Sequence, residues 1–262
     1  MPYALITGAS KGIGKAIALE MAAHGFDLLL ASRSEEKLRE TATEISKTHQ
    51  VKVQHLSIDL SEPGAAKKIA EWCSANNYEV NALINNAGYG IWGLFENVPL
   101  AEEQNMMQLH MNAMVELCHA FIPRLKKHTS AYILNVSSTA AFQAVPAMSV
   151  YAATKAFVIT FTRGLQYELQ NSGIRVSCLI PGTTDTSFMD RAKMDPLREI
   201  AKKFEMRPDI VAKAAVTGLL KGTLEIIPGF SNKASAVGTK FLPKRLAEKI
   251  AASIYLKNLN KS

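Results

Sequence analysis

The stretch Thr7-Gly8-Ala9-Ser10-Lys11-Gly12-Ile13-Gly14 lies between a short apolar run, Tyr3 to Ile6, and an apolar-periodic segment, Ile13 to Met21. This order predicts a strand, a glycine-rich turn and a helix. Such a turn presents free backbone N–H groups and the positive end of a helix dipole, which together attract a phosphate group. The first hypothesis is therefore that the protein binds a nucleotide.

The same residues also satisfy the G-x-S-x-G pattern of a hydrolase nucleophile elbow, with Ser10 as the nucleophile. A strand followed by a turn and a helix suits either function. In hydrolases of this type the catalytic histidine follows the serine and the acid. The last of the six histidines is His128, and much of the predicted sheet lies beyond it. Nucleotide binding is the favoured interpretation, and a hydrolase is the alternative.

The composition indicates one globular domain over residues 1–262. A hydrophobic fraction of 48% is ample for a core, and no linker-like tract or repeat divides the chain. No apolar run approaches the roughly 18 residues of a membrane span, and the chain enters its first strand without a targeting segment. We therefore expect a cytoplasmic protein.

The cysteines and histidines carry no pattern of a disulfide or a metal site. Cys73, Cys118 and Cys178 are odd in number, far apart and set among apolar residues, which is typical of reduced thiols in a core. The histidines show no H-E-x-x-H or similar ligand spacing. We expect no bound metal.

The net charge of +7 is concentrated near the C-terminus. From Ser231 onward there are seven basic residues and one acid, a balance of +6. Leu246, Ile250 and Ile254 recur every four residues and predict an amphipathic helix with a basic face over about 243–258. We favour a helix packed against its own domain with a solvated basic face; contact with a membrane surface or an acidic partner is the alternative. Nucleic acid is not expected, because no aromatic or loop pattern accompanies the lysines.

Short apolar runs alternate with longer helical patterns along most of the chain. This alternation predicts an α/β fold, a single doubly wound, Rossmann-type domain whose parallel sheet has helices on both faces. About seven strands are predicted, near residues 3–7, 27–32, 51–56, 80–85, 131–137, 174–180 and 223–227.

Polar and glycine-containing segments follow six of these strands. Because ligands bind at the carboxyl ends of the strands in open parallel sheets, we expect these segments to form one cleft. They are Gly8–Gly14, Ser32–Arg33, Asp59, Asn85–Gly88, Ser137–Ser138 and Pro181–Gly182.

Tyr151 and Lys155 are four residues apart on the helix after the fifth strand, so they share one face. A nearby ammonium favours the phenolate and lowers the pKa of a tyrosine by roughly 1 to 3 units. Ser138 is expected at the end of the neighbouring strand, where its hydroxyl can bind a carbonyl oxygen. These three side chains predict a proton donor with its supporting groups.

With these motifs the chain resembles the short-chain dehydrogenase/reductase family, from about Tyr3 to Phe230. The motifs are T-G-x-x-x-G-x-G at Thr7–Gly14, N-N-A-G at Asn85–Gly88, Ser138 thirteen residues before Tyr151, Y-x-x-x-K at Tyr151–Lys155, and P-G-x-x-x-T at Pro181–Thr186. The resemblance implies hydride transfer from a nicotinamide cofactor to a carbonyl carbon.

The resemblance also implies roles for individual residues. Tyr151 is implied as the proton donor, and Ser138 orients the substrate carbonyl. Lys155 binds the ribose and lowers the pKa of the tyrosine, while Asn112, on the preceding long helix, holds a relay water. The predicted cofactor contacts, of which Lys11 and Arg33 rest on their charge and not on the resemblance, are Gly8, Ser10, Lys11, Gly12, Ile13, Gly14, Arg33, Asp59, Leu60, Asn86, Ala87, Gly88, Tyr151, Lys155, Pro181, Gly182 and Thr186.

The residues after the second strand indicate NADP(H). An NAD site usually has an acid there to bind the ribose 2′-hydroxyl, but Ala31-Ser32-Arg33 has none. Arg33 and Lys11 provide two cations for a 2′-phosphate. We expect NADP(H), and therefore reduction as the physiological direction.

The loops beyond Gly88, Ser138 and Pro181 are expected to contact the substrate, and they are rich in apolar residues. Thr183 to Arg207 is interpreted as a lid over the bound ligand. An apolar ketone or a 3-oxoacyl group is the predicted substrate class. The candidate substrate contacts are Tyr89, Ile91, Trp92, Phe95, Phe142, Val145, Met148, Phe188 and Met189.

The helix that carries Tyr151 has two apolar stripes, one more than packing on its own sheet requires. We therefore expect a homodimer or homotetramer. A protein that binds NADP(H) without turnover, as a redox sensor or scaffold offering its basic C-terminal helix to a partner, is the alternative function.

Overall fold

The computed structural model of the protein describes residues 2–241 and 243–259. Within these residues seven parallel strands form one sheet in the order β3-β2-β1-β4-β5-β6-β7. The strands are β1 (Tyr3–Thr7), β2 (Asp27–Ser32), β3 (Val53–Ser57), β4 (Val80–Asn85), β5 (Ala131–Val136), β6 (Ile174–Leu179) and β7 (Glu225–Ile226). All seven predicted strands are present, with ends that differ by at most two residues, and the predicted doubly wound α/β fold is confirmed.

Helices connect the strands and cover both faces of the sheet. In the described residues, none of them is both long and apolar enough to cross a membrane. They are α1 (Gly12–Ala23), α2 (Glu35–Thr48), α3 (Ala65–Ala75), α4 (Leu100–Met107), α5 (Ala113–Leu125), α6 (Ser149–Leu169), α7 (Phe188–Arg191), α8 (Arg198–Lys202), α9 (Pro208–Lys221), α10 (Phe230–Phe241) and α11 (Lys244–Leu259).

Alternate side chains of the central strands enter two different cores. In β1, Leu5 enters the core under α3, α5 and α6, whereas Ala4 and Ile6 enter the core under α1, α2 and α9. All three side chains are fully buried. A strand buried on both faces is mostly apolar, so most of the polar residues lie at or beyond the strand ends.

One turn of π-helix, Gln108–Asn112, joins α4 to α5. Turns of this kind change the phase of a helix and are frequent at functional sites. The phase matters here because it determines which polar side chain of the turn points inward.

The segment from Thr183 to Arg207, which we call the lid, leaves the sheet after β6 and returns to its starting point. Its two ends are joined by backbone hydrogen bonds, from Asp185 N–H to the Met206 carbonyl at 2.9 Å and from Met206 N–H to the Thr183 carbonyl at 3.0 Å. The excursion between these bonds contains α7 and α8.

Helix α11 contacts the rest of the protein with a side different from the one that its apolar stripe suggests. Ala247 and Ala251 are buried, whereas Leu246, Ile250 and Ile254 are 47%, 51% and 37% exposed. Small side chains allow a helix to approach its neighbours closely, so the alanines contribute to the contact, whereas the three residues of the predicted apolar stripe face outward.

Candidate active site

The glycine-rich turn is held against the loop that follows β4. The Thr7 hydroxyl accepts hydrogen bonds from the N–H groups of Asn86 and Ala87, both at 3.0 Å. The Asn86 amide donates to the Thr7 carbonyl at 2.9 Å and to the Gly8 carbonyl at 3.3 Å. A Cβ atom on Gly14 would overlap with the Gly8 carbonyl and the Asn86 amide. The turn can pack this closely against Gly8 and Asn86 only because residue 14 has no side chain.

The same turn has the properties of a phosphate site. Gly8 and Gly12 have φ angles of +67° and +57°, which glycine adopts without strain. Because α1 begins at Gly12, its free N–H groups and the positive end of its dipole lie in this turn. Ser10, Lys11 and Ile13 lie within or next to it.

The segments after β4 and β6 reach the same cleft. A Cβ atom on Gly88 would lie 3.4 Å from Lys155 Nζ. After β6, Pro181–Gly182 lead into the lid, where Thr186 meets the glycine-rich turn: a Cβ atom on Gly12 would lie 3.0 Å from Thr186 Cγ2. The predicted convergence of these segments at one sheet edge is therefore present.

Tyr151 and Ser138 lie side by side in this cleft. Tyr151 is on α6 and only 7% exposed, and Ser138 follows β5. Burial raises the pKa of Tyr151 to about 12, although a hydrogen bond with Ser138 acts in the opposite direction. The phenol is therefore protonated at neutral pH.

Lys155 lies one turn further along α6, with Nζ 5.8 Å from the centre of the Tyr151 ring. The ammonium donates to the Val136 carbonyl at 3.0 Å. Burial lowers the pKa of Lys155 to about 8. Burial dominates the pKa of Tyr151 and raises it, so the lowering expected from Lys155 is not the net result in this structure.

His110 is a residue of the cleft that the sequence analysis missed. It is buried, and Nε2 accepts a hydrogen bond from Tyr89 N–H at 3.1 Å. Nδ1 must then carry the proton and donate to the Thr154 hydroxyl at 2.9 Å, while Thr154 donates to the Tyr151 carbonyl at 2.7 Å. Burial, and then the charge of Lys155, hold the pKa of His110 well below its usual value. A neutral histidine thus ties the loop after β4 to the helix turn that carries Tyr151.

Asn112 does not reach the cleft. It is exposed, and its amide donates to the Gln108 side chain at 2.6 Å. Asn112 lies four residues from exposed Glu116, whereas His110 lies four residues from buried Met106 and three from buried Ala113. The placement of Asn112 as a water-holding site residue is therefore corrected, and the signal that identifies His110 is a polar residue in phase with the buried side of the helix.

Arg33 and Asp59 follow β2 and β3 and form an ion pair at 3.6 Å. Asp59 also accepts hydrogen bonds from the N–H and hydroxyl groups of Ser61, at 2.9 and 2.7 Å. Burial raises the pKa of Asp59, but these hydrogen bonds and the Arg33 charge outweigh it, so the net pKa is lowered. Leu60, the next residue, is buried. The pair lies at the end of the cleft where an adenosine ribose is expected.

An apolar cluster surrounds Tyr151. The Phe188 ring, from the lid, is centred 5.5 Å from the Tyr151 ring. A Cβ atom on Gly90 would lie 2.5 Å from Phe188 and 3.1 Å from Met148, so the loop after β4 also closes on this cluster. Seven of the nine predicted substrate contacts belong to the cluster or pack against it: Tyr89, Ile91, Trp92, Val145, Met148, Phe188 and Met189.

The other two predicted substrate contacts lie elsewhere. Phe95 is 62% exposed, and Phe142 packs against the core under α3, α5 and α6. Tyr255 and Leu259 of α11 pack against the cluster, and the sequence analysis did not include them. Their contact depends on how α11 packs on the cluster, which the spacing of residues within the helix does not determine.

The geometry does not favour a hydrolase. Within residues 2–241 and 243–259, no hydrogen bond joins the Ser10 hydroxyl to a histidine. In the same residues, no three His, Cys, Asp or Glu side chains converge as metal ligands would. The cleft instead combines a phosphate-binding turn with a buried phenol, a hydroxyl and an amine.

Comparison with known proteins also favours a dehydrogenase over a hydrolase. A sequence model of the short chain dehydrogenase family matches residues 2–196. Very-long-chain 3-oxoacyl-CoA reductase-A of Danio rerio is 32% identical over 201 residues, which are 75% of this chain. The match spans 60% of that relative's length.

Solved structures share the whole fold. A short-chain dehydrogenase from Sphingobium yanoikuyae, in complex with NADPH, superposes with a TM-score of 0.82 at 31% identity, over 91% of this chain and 92% of that one. The bulky-bulky ketone specific alcohol dehydrogenase from Comamonas testosteroni superposes with a TM-score of 0.75 at 27% identity, over 92% and 93% of the two chains.

Proposed function

Because this chain belongs to the short-chain dehydrogenase family, we propose that it uses NADPH to reduce the carbonyl group of an apolar ketone or 3-oxoacyl-type substrate. The observation that supports this most directly is the juxtaposition of Tyr151, Ser138 and Lys155. They lie between a turn suited to phosphate and an apolar cluster suited to substrate.

When bound, the cofactor would supply a hydride from its nicotinamide ring to the carbonyl carbon. Ser138 would donate a hydrogen bond to the carbonyl oxygen and fix its orientation. Tyr151 would transfer its phenolic proton to that oxygen as negative charge develops there. Lys155 would bind the ribose and keep a positive charge beside the phenolate that remains. His110 would act as a positioning residue, because it fixes the turn of α6 that carries the tyrosine.

The cofactor fits the cleft because the glycine-rich turn leaves room that side chains would fill. We propose that different parts of the cleft hold its different groups. Gly8, Ser10, Gly12, Ile13 and Gly14 would hold the pyrophosphate, Asp59 and Leu60 the adenine, Asn86, Ala87, Gly88 and Lys155 the riboses, and Pro181, Gly182 and Thr186 the carboxamide.

The apolar cluster supports a bulky or extended apolar substrate. The side chains around Tyr151 are aromatic rings, methionines and aliphatic groups, and they have few polar atoms with which to recognise a hydrophilic ketone. The relatives named above include a 3-oxoacyl-CoA reductase and an alcohol dehydrogenase specific for bulky ketones. A substrate of either kind would place an apolar group near the reacting carbonyl in this cleft.

Turnover of a ketone panel tests this function. We expect NADPH absorbance to fall in the presence of apolar aryl or cyclic ketones, or of 3-oxoacyl thioesters, and to change little with small hydrophilic ketones. Tight binding of NADPH without turnover of any panel member would instead favour the sensor or scaffold. Ester cleavage that is lost in Ser10→Ala would favour the hydrolase.

Replacement of Arg33 by alanine tests the choice of cofactor. The guanidinium would pair with the 2′-phosphate of NADPH, and a charge-assisted hydrogen bond contributes about 1.5 to 3 kcal/mol. We expect the Kd for NADPH to rise about tenfold or more and the Kd for NADH to change less than about twofold. Titration of both cofactors by fluorescence measures this, with exposed Arg39→Ala on α2 as the matched control. Equal weakening of both cofactors would contradict the NADPH preference.

The pH dependence of reduction tests the role of Lys155. Its pKa is lowered to about 8, so the ammonium is charged below this pH and neutral above it. The pKa of Tyr151 is raised to about 12, so the phenol keeps its proton over the same range. We expect kcat/KM for ketone reduction to fall as the pH rises through about 8. Any residual activity of Lys155→Arg should lack this fall, because a guanidinium stays charged, and a wild-type profile that is flat up to about pH 10 would refute the assignment.

We further propose a homodimer or homotetramer located in the cytoplasm. Phe157 on α6 is 36% exposed and stacks on Phe161, with ring centres 5.9 Å apart, and Tyr167 on the same helix is 70% exposed. This outward apolar side of α6 is suited to a second copy of the chain. Light scattering of the purified protein would measure the assembly.

A further inference from the structure

We infer that Arg191, in the lid, binds a phosphate group of the cofactor together with Lys11 and Arg33, so that cofactor binding fastens the lid over the active site. This inference rests on the proposed use of a nicotinamide cofactor, but none of the sequence motifs assigns Arg191 any role.

The position of Arg191 is fixed by an aromatic ring. Its guanidinium carbon lies 3.9 Å from the centre of the Tyr89 ring, a cation–π contact. Tyr89 is itself held in place, because its hydroxyl donates to the Asn105 side chain at 2.8 Å and its N–H donates to His110. Arg191 therefore rests on a rigid part of the loop that follows the Asn85–Gly88 motif.

Arg191 belongs to a group of cations with too few anions. Lys11, Arg33 and Arg191 lie close enough for their charges to repel one another, and Lys37 adds to the field at Lys11. Burial is the main reason that the pKa values of Lys11 and Arg191 are lowered, and this repulsion lowers them further. A group of positive charges at a cleft is suited to an anionic ligand.

The nearby carboxylates do not neutralise Arg191. Asp59 is paired with Arg33 at 3.6 Å, and Asp190 is paired with Arg198 at 2.6 Å. Among the described residues, no carboxylate lies within ion-pair distance of Arg191. The guanidinium shares a hydrogen bond with Tyr89, and its remaining donors are well matched to a phosphate.

Helix α7 connects this cation group to the catalytic side of the cleft. Phe188, at its first position, contacts the Tyr151 ring, and Arg191, at its last position, stacks on Tyr89. Two residues before the helix, Thr186 touches Gly12 of the phosphate-binding turn. A phosphate that attracts Arg191 would therefore also hold Phe188 against the substrate site.

Arg191 is suited to either of two groups of the cofactor, the 2′-phosphate or the pyrophosphate. The variant Arg191→Gln, measured by calorimetry, distinguishes them. Adenosine 2′,5′-bisphosphate lacks the pyrophosphate bridge, and ADP-ribose lacks the 2′-phosphate. We expect Arg191→Gln to raise the Kd for NADPH about tenfold. An equal rise in the Kd for the bisphosphate identifies the 2′-phosphate as the group that Arg191 binds. An equal rise in the Kd for ADP-ribose identifies the pyrophosphate. Either result supports the inference.

Arg198→Gln is the matched control, because Arg198 is also in the lid but its partners among residues 2–241 and 243–259 are Asp190 and Asp195. Hydrogen exchange of residues 188–202 provides a second readout. NADPH should protect these amides in the wild type and in Arg198→Gln, but not in Arg191→Gln. If Arg191→Gln binds all three ligands within about twofold of the wild type, the inference is wrong. A wild-type protein that binds no NADPH would overturn the proposed function instead.

Discussion

Replacement of Tyr151 by phenylalanine should lower kcat for ketone reduction by about three orders of magnitude. The phenolic proton is the one that the developing alkoxide would receive, and a positioned general acid contributes about 10² to 10⁴ in rate. The ring is buried among apolar side chains, so phenylalanine fills the same space and the fold should be unaffected. Stopped-flow measurement of NADPH oxidation at saturating ketone gives the rate, and titration of NADPH in the absence of ketone gives its Kd.

A second tyrosine on the same helix provides the control for this prediction. Tyr167 is 70% exposed on α6 and far along the helix from Tyr151, so Tyr167→Phe should retain wild-type kcat. The Kd for NADPH should remain within about twofold in both variants. If Tyr151→Phe keeps more than about a tenth of the wild-type kcat, another group donates the proton and the assignment of Tyr151 fails.

Addition of a single methyl group at Gly14 should abolish cofactor binding and destabilise the protein. A Cβ atom there would overlap with a backbone carbonyl, Gly8 O, and with the Asn86 amide that donates to it. The Asn86 side-chain amide is held by the Thr7 and Gly8 carbonyls to which it donates, and the Gly8 carbonyl belongs to the main chain of the turn, so neither group can move away without breaking these bonds. Overpacking of this kind costs about 1 to 3 kcal/mol, and the broken polar contacts add about 1 kcal/mol each. We expect Gly14→Ala to lose about 3 kcal/mol of unfolding free energy and to bind NADPH at least 100-fold more weakly.

The matched control is Gly164→Ala, since Gly164 is an exposed glycine in α6 whose added Cβ atom would meet no other atom within 4 Å. There the same change should raise the unfolding free energy by about 0.5 to 1 kcal/mol, because alanine is the better helix former. Urea titration measures both variants. Equal stability of Gly14→Ala and Gly164→Ala would show that the turn adapts to a side chain and that its tight packing is not required.

The strand positions were predictable because the sheet is buried on both faces. The middle of β2, Leu28–Ala31, is fully buried and apolar, and such a run is visible in the sequence. The ends of the strands followed from the polar residues displaced there. Tyr151 and Lys155 were predictable for a related reason, because a separation of four residues on one helix fixes their common face.

The errors have a different physical origin. The role of Asn112 rests on the family resemblance alone, and its spacing from the buried residues places it on the exposed side of the π-helical turn; the same spacing points to His110. The pKa of Tyr151 depends on how deeply the ring is buried, which no local pattern reveals. The contact side of α11 also depends on distant partners, because a helix can pack through a narrow row of alanines and leave larger residues outside.

The two backbone hydrogen bonds between Thr183–Asp185 and Met206 close the lid into a loop whose stem is part of the protein's main-chain framework. Everything distal to that stem can change in length or composition while the sheet keeps its register. Because Thr186, Phe188 and Arg191 all lie distal to the stem, exchange of the loop would alter the contacts offered to both cofactor and substrate without disturbing the strand framework.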